Sequence, residues 1–331
     1  MIIPLFISHA GCPHQCVFCN QKRITGRQAL EPSAIAAVIE RHLETAASSE
    51  AHEIAFYGGT FTALPPALRK AFLDAALPFA RSARIKSLRL STRPDALDRE
   101  ILTELKAYRV ATIELGVQSL DDKVLAASGR GHTAAQTVNA VRLLKDQGFR
   151  IGLQLMPGLP GDSAETFLRT VKAAIALNPD FVRIYPALVI RDTPLEQLYT
   201  AGRFTPLSLD EAVALCRQAL LLFEDAGIDV IRIGLQPSEE LEQDGTIKAG
   251  PYHPAFRQLV ESSLLLDRMR TALRGVRADA GRMDILVNPR DLSSAIGQKR
   301  ANLELLRKEF GPDLRIRAEA AVPRYRPKPA A

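Results

Sequence analysis

Along the first two-thirds of the chain, short apolar runs of strand length alternate with longer stretches whose apolar residues recur at helical spacing. The strand-like runs fall at residues 3–8, 53–57, 87–91, 112–117, 151–155, 181–185 and 230–233. Helical stretches separate them at 32–45, 65–80, 97–107, 134–147 and 163–177. Pro32 and Pro65 suit a first helical turn, and Gly148 suits a helix terminator. Repeated strand–helix units predict an α/β fold with a parallel sheet and right-handed crossovers. About six such units fit a partial barrel, short of the eight of a complete one. Reactive side chains then belong at the C-terminal ends of the strands and in the loops that follow.

The alternation lapses after residue 235. Residues 236–256 are polar and punctuated by Gly and Pro, with Tyr252 and His253 as candidate substrate contacts. We assign residues 236–275 to a linker and a helix crossing the barrel mouth. A strand at 283–288, a short helix at 289–296, a basic turn at 297–300, a helix at 301–310 and a strand at 314–318 follow. Residues 276–320 therefore read as a small α+β domain. Residues 321–331, rich in Pro and basic residues, read as a disordered tail.

Composition narrows the class. The 331 residues are 47% hydrophobic and 24% charged, ordinary for a soluble chain with one large core and a smaller domain. No apolar stretch is long enough to span a membrane, and the start lacks a signal-peptide pattern, so a cytoplasmic protein is expected. The net charge of +6 is unevenly placed. Residues 250–331 hold 16 Lys and Arg against 9 Asp and Glu, and the remainder holds 27 against 28. A basic appendage on a near-neutral body suits a polyanion.

Three of the four cysteines, Cys12, Cys16 and Cys19, lie within eight residues in a C-x3-C-x2-C loop directly after the first strand. Such thiolates select an iron–sulfur cluster or zinc. A zinc site with His14 as fourth ligand is the alternative, but a zinc knuckle normally takes a second, distant ligand pair, which is missing here. Three thiolates leave one metal position open to a cofactor or substrate. Cys216 stands apart on a helical run and reads as a small buried hydrophobe.

The cysteine loop, with Phe18 before its last cysteine, resembles the cluster loop of radical S-adenosylmethionine (SAM) enzymes. The resemblance implies a [4Fe–4S] cluster on Cys12, Cys16 and Cys19, SAM on its open iron, and a 5′-deoxyadenosyl radical as the product of reductive cleavage. It also implies a partial (β/α)6 TIM-type barrel over residues 1–235 and an electron donor such as flavodoxin or ferredoxin. SAM contacts are expected from Gly58, Gly59 and Thr60 after the second strand and from Thr92 and Arg93 after the third. Glu114 and Gln118 on the fourth strand and Gln154 and Met156 on the fifth complete the set. Gly58-Gly59 also reads as a plain turn, and Arg93 as a turn-shaping partner of Asp95.

The strings STRPD, IELGVQS, RGHT, MPGLPG and IYPALVIRDTPL, in that order, resemble the radical SAM core of the elongator catalytic subunit, which modifies the wobble uridine of tRNA. Its cysteine loop is longer, and its acetyltransferase domain has no room here, so acetyl chemistry does not carry over. The strand–helix–turn–helix–strand end resembles a KH RNA-binding domain, with Gly297, Lys299 and Arg300 as RNA contacts; Arg300 stands where that motif has its second glycine. The expected function is a radical SAM enzyme acting on RNA, most naturally tRNA. The alternatives are radical SAM chemistry on a small metabolite, as in coproporphyrinogen-oxidase-like proteins, and a non-enzymatic, metal-stabilised RNA-binding protein.

Overall fold

The computed structural model describes residues 1–25, 30–46, 51–276 and 283–330. The chain forms two compact units, residues 1–208 with 222–252, and residues 209–221 with those from 253 onward.

The first unit runs β1 (Ile2–Phe6), α1 (Gln21–Thr25), α2 (Ile35–Thr45), β2 (His52–Tyr57), α3 (Pro66–Ala80), β3 (Ile85–Thr92), α4 (Arg99–Ala107) and β4 (Val110–Gln118). It continues with α5 (Asp122–Ala127), α6 (Ala134–Asp146), β5 (Arg150–Leu155), α7 (Ala164–Ala176), β6 (Phe181–Ile184), β7 (Val189–Ile190) and α8 (Pro194–Thr200). Helix α9 (Leu209–Asp225) divides between the units, and β8 (Asp229–Ile233), α10 (Glu239–Glu242) and β9 (Ile247–Ala249) close the first. Seven parallel strands, in the order β1-β2-β3-β4-β5-β6-β8, form a sheet curled into a half-barrel.

Alternation along the strands explains the layers. Ile54 and Phe56, Leu88 and Leu90, Ile113 and Leu115, and Leu153 and Leu155 are fully buried. Phe56 stacks on Phe61 at 4.6 Å and meets Phe72 of α3 at 6.0 Å. Each such side chain contributes about 1.5–3 kcal/mol by leaving water. The intervening positions Glu53, Arg89, Glu114, Gln154 and Arg183 make the inner face polar, where a complete barrel is filled by branched apolar residues. Helix starts are set by side-chain caps. Asp98 accepts from Ile101 N at 2.8 Å before α4, and Thr133 forms a capping box with Gln136 before α6.

The second unit adds α11 (Phe256–Leu273), β10 (Met283–Val287), α12 (Leu292–Ile296), α13 (Ala301–Phe310), β11 (Leu314–Ala318) and β12 (Lys328–Pro329). Its sheet has the order β11-β10-β12, with β11 parallel and β12 antiparallel to β10. Ile285, Val287, Leu306 and Leu314 are buried in it, as are Leu265, Met269 and Leu273 of α11.

Two sequence expectations are corrected. Residues 236–252 belong to the first unit, with β9 paired antiparallel to β7, while α11 belongs wholly to the second. Residues 321–330 are not disordered, and residue 331 lies outside the described residues. Tyr325 is buried, its hydroxyl donating to Glu261 at 2.7 Å and its N–H to Asp291 at 2.6 Å, while Arg324 Nε donates to Asp291 at 2.8 Å. Two buried carboxylates need partners, and the tail supplies them.

Candidate active site at the strand ends

The cysteine loop leaves β1 and folds onto the loop after β2. Ile7 N donates to Tyr57 O and His9 N to Gly58 O, each at 2.8 Å, and Thr60 N donates to Ala10 O at 2.9 Å. A Cβ at Gly11 would lie 2.3 Å from Thr60 O, and one at Gly59 would lie 2.4 Å from Ala10 O. The Gly58-Gly59 pair is thus explained first by contact between the two loops, with Gly58 at φ 89°. Thr60 Oγ1 lies 3.4 Å from Cys12 Sγ.

Cys12 is exposed, Cys16 buried and Cys19 half-buried. Cys19 Sγ accepts from Gln21 Nε2 at 3.6 Å, and Cys16 Sγ accepts from Arg130 at 3.1 Å. Burial, and then the charge of Cys16, push the Cys19 thiol up to about 12, with Cys12 adding to the effect. Among the described residues no three His, Cys, Asp or Glu side chains converge closely enough, as they stand, to hold a metal ion. The donor set nevertheless fits a soft cationic centre. Three thiols share one loop and repel one another when ionised, and a bound cation removes that repulsion. A buried polar atom without a hydrogen-bond partner adjoins it, namely Nε of Arg130, whose terminal nitrogen reaches Cys16 Sγ.

Beyond β3, Thr92 and Thr62 share a short hydrogen bond between their hydroxyls at 2.5 Å. Arg69, ion-paired to Glu104 at 2.6 Å, donates to Thr62 O at 3.1 Å and fixes that loop. Arg93 is buried and clasps Asp95 through Nε at 2.9 Å and through a terminal nitrogen at 2.8 Å. This pair shapes the turn after β3. His132 is 4% exposed, and burial together with Arg130 and Arg93 lowers it to about 4, so it is a neutral imidazole.

Glu114 is likewise paired within the chain. Its Oε1 accepts from Tyr57 at 2.7 Å and from Arg89 at 2.6 and 3.0 Å, and its Oε2 lies 2.7 Å from Arg183 Nε. Arg89 also reaches Glu53 at 3.0 Å, and Arg183 donates to the hydroxyls of Tyr57 at 3.1 Å and Tyr185 at 3.2 Å. The carboxylate is saturated by this chain and braces β2, β3, β4 and β6 across the inner face.

Gln118 sits at a register shift at the end of β4 with φ 66°, and its side chain accepts from Gln154 at 3.2 Å. Bulges next to sites re-aim side chains in this way. Met156 is buried in an apolar cluster with Val124, Leu159 and Ala187, against which Phe18 and Tyr185 pack. This surface suits a flat apolar ring. Asp162 ties the adjoining loop by accepting from Gly158 N at 3.0 Å and Ser163 N at 2.9 Å, and burial raises it to about 6.

Gly58, Gly59, Thr60, Thr92, Gln118, Gln154 and Met156 lie at the C-terminal ends of β2 to β5, with the cysteine loop after β1, and Arg93 and Glu114 carry internal pairs. Sequence reasoning missed Arg130, Arg89 and Arg183. Arg130 had a signal, an arginine between two glycines, while the other two look like ordinary strand residues.

In the second unit, Gly297 has φ 79°, and a Cβ there would lie 2.9 Å from Asn302 N. Lys299 and Arg300 are both left-handed, with φ 49° and 65°. Both are exposed, with no side-chain partner among the described residues. Cys216 is fully buried, its thiol pushed far up by burial alone, as its hydrophobic reading requires.

Comparison with known proteins places this geometry. Residues 6–174 match the model of the radical SAM superfamily, and residues 179–265 match a radical SAM C-terminal domain. A tRNA uridine(34) acetyltransferase of Methanocaldococcus infernus is 30% identical over 254 residues, 64% of this chain and 47% of that protein. Human Elongator complex protein 3 is 28% identical over 257 residues, again 64% of this chain and 47% of that protein. The chain spans about half the length of these curated relatives. Among solved structures, the archaeal Methanocaldococcus infernus Elp3 with an N-terminal deletion superposes with a TM-score of 0.64 at 23% identity, covering 86% of this chain and 70% of that one. Escherichia coli coproporphyrinogen III oxidase superposes with a TM-score of 0.52 at 17% identity, covering 68% and 53%. Both show a shared fold.

Proposed function

This chain belongs to the radical SAM superfamily, and on that premise we propose that it is a radical SAM enzyme that modifies RNA, with tRNA as the substrate class. The observation that carries the chemical half is the three-cysteine loop seated on the 57–62 loop at the C-terminal end of a parallel half-barrel. Cys12, Cys16 and Cys19 would hold a [4Fe–4S] cluster, which would supply the electron for reductive cleavage of SAM. Thr60, Thr92, Gln118 and Gln154 offer hydrogen bonds to the polar part of SAM. The Met156 cluster offers its adenine an apolar surface that excludes water. Glu114 acts indirectly by fixing Tyr57 and Arg183.

The RNA half rests on relatives named for tRNA uridine and on the unpaired Lys299 and Arg300 of a basic second unit. Cations at a tight turn contact phosphate and give affinity that falls with salt. A KH-like role for this unit and reduction by a flavodoxin or ferredoxin belong to the same proposal. Acetyl transfer does not, because the relatives share only about half their length with this chain.

The test is anaerobic. The protein is reconstituted with iron and sulfide, reduced, and given SAM with and without bulk tRNA, and 5′-deoxyadenosine is quantified. Product that rises with tRNA is expected. Slow product indifferent to tRNA would move the substrate to small metabolites. No product from a cluster-loaded protein would remove the enzyme reading.

A further inference from the structure

The sheet of the second unit is covered on one side only. Along β10, Met283, Ile285 and Val287 are buried, while Asp284 and Leu286 between them are half-buried. Along β11, Leu314 is buried, while Arg315 and Arg317 are exposed. Side chains of a strand alternate between its faces, so these residues mark two sides of the sheet. Helices α12 and α13 pack on β11, and α11 packs on both helices and on β12. Together they cover the side that holds Ile285 and Leu314. The register fixes what stands on the other side. Asp284 lies beside Arg315, and Leu286 lies between Arg317 of β11 and Lys328 of β12.

This open side is cationic. Arg317 donates to Asp284 Oδ2 at 3.1 Å and keeps 60% of its side chain in solvent, whereas the carboxylate residue keeps only 10%. Asp284 therefore steadies the guanidinium against the sheet and leaves most of it facing water. Arg315 and Lys328 are exposed, with no side-chain partner among the described residues. The acids nearest along β11, Asp313 and Glu319, lie beyond its two ends, and Glu319 accepts from Ala321 N at 3.2 Å. Arg315 and Arg317 stand two residues apart on one strand, about 6.6 Å, close to the separation of neighbouring phosphates along a nucleic-acid strand. Arg317 and Lys328 stand two strands apart, about 10 Å, with Leu286 between them. Charges spread over a face in this way fit a chain of phosphates better than one small anion.

We propose that this open sheet face, carried by Arg315, Arg317 and Lys328, is a second surface for the RNA backbone, on the opposite side of the unit from the 297–300 turn. The inference rests on the RNA reading and adds a surface to which that reading gives no role. The turn joins α12 to α13 and so belongs to the covered side. A short straight strand cannot touch both sides at once, whereas a folded RNA reaches both by bending round the unit or by presenting two segments. Guanidinium groups take phosphate through two parallel hydrogen bonds, and an ammonium takes it as a point charge. Such contacts hold the backbone without reading base sequence, and salt weakens them by competing for the phosphates.

The full chain is titrated against labelled bulk tRNA by fluorescence anisotropy across a salt series. Arg315→Gln with Lys328→Gln removes two charges that hold no partner, and the melting temperature checks that this variant folds as wild type does. It is expected to bind tRNA more weakly and to flatten the plot of log affinity against log salt by about one to two units. Added to Lys299→Gln with Arg300→Gln, it is expected to multiply the two losses, because contacts on separate sides add in free energy. Arg315→Lys with Lys328→Arg keeps both charges and is expected to bind as wild type does. Unchanged affinity and slope in the neutral variant overturn the assignment, and slower reduction by flavodoxin in that same variant would give the face to an acidic donor protein instead. Equal loss in the charge-keeping variant overturns it too, since charge would not be the cause. A wild-type chain with no salt-dependent affinity for tRNA overturns the RNA reading itself, which separates the two failures.

Discussion

Two guanidinium groups and burial act on a single imidazole. His132 has a folded-state pKa of about 4, below the ordinary 6.5, first through burial and then through Arg130 and Arg93. The unfolded chain takes up this proton near pH 6.5 while the folded chain refuses it until about pH 4. Stability from His132 is therefore complete above pH 6.5 and is lost as the pH falls toward 4. At about 1.36 kcal/mol per unit the loss is on the order of 3 kcal/mol. Urea unfolding of the cluster-free protein should show His132→Gln losing less stability than wild type between pH 7 and pH 4.5. Equal losses would place the imidazole in water. Asp162 works in the opposite sense. Its pKa, raised to about 6, makes the folded chain give up stability as the pH rises from about 4 to 6. Asp162→Asn should gain on wild type over that window, read as the difference in melting temperature.

At the scale of elements, the half-barrel is braced across its inner face. Glu114 on β4 joins Tyr57 of β2, Arg89 of β3 and Arg183 of β6. Removing one member of a buried ion pair leaves a buried charge uncompensated, at a cost of about 3–5 kcal/mol. Glu114→Ala should lose that much in urea unfolding, and Tyr57→Phe, which deletes the hydroxyl's hydrogen bonds to Glu114 and from Arg183, about 1–3 kcal/mol. The strands were legible because buried parallel strands read as apolar runs, and each motif loop follows one of them. The brace was not legible. Arg89 and Arg183 lie 94 positions apart, and only the register of β3, β4, β5 and β6 brings them to one carboxylate.

At the scale of the whole molecule, the chain divides into a near-neutral half-barrel and a basic second unit. Replacing Lys299 and Arg300 with Glu should weaken tRNA binding and flatten its dependence on salt, by about one unit of slope for each phosphate that is no longer neutralised. Unchanged binding in a filter assay across a salt series would move the RNA surface elsewhere. Truncation after Val322 should lower the melting temperature, since it removes Arg324 and Tyr325 from the buried Asp291 and Glu261. A silent truncation would restore the reading of a disordered tail, which composition alone had suggested.

Local chemistry determined much of this protein from sequence. Residue spacing gave the three-thiol loop, hydrophobic period gave the parallel βα order, and glycine and proline marked the loops at the strand ends. These signals are legible because each is complete within a few neighbouring residues. Tertiary structure decided which polar side chains are free. The partners of Arg93 and Glu114 are invisible in the sequence, and Arg130 looks like a loop residue until it is seen on Cys16. A buried charge is defined by what neutralises it, and that partner can come from anywhere in the chain that the fold brings within hydrogen-bond distance.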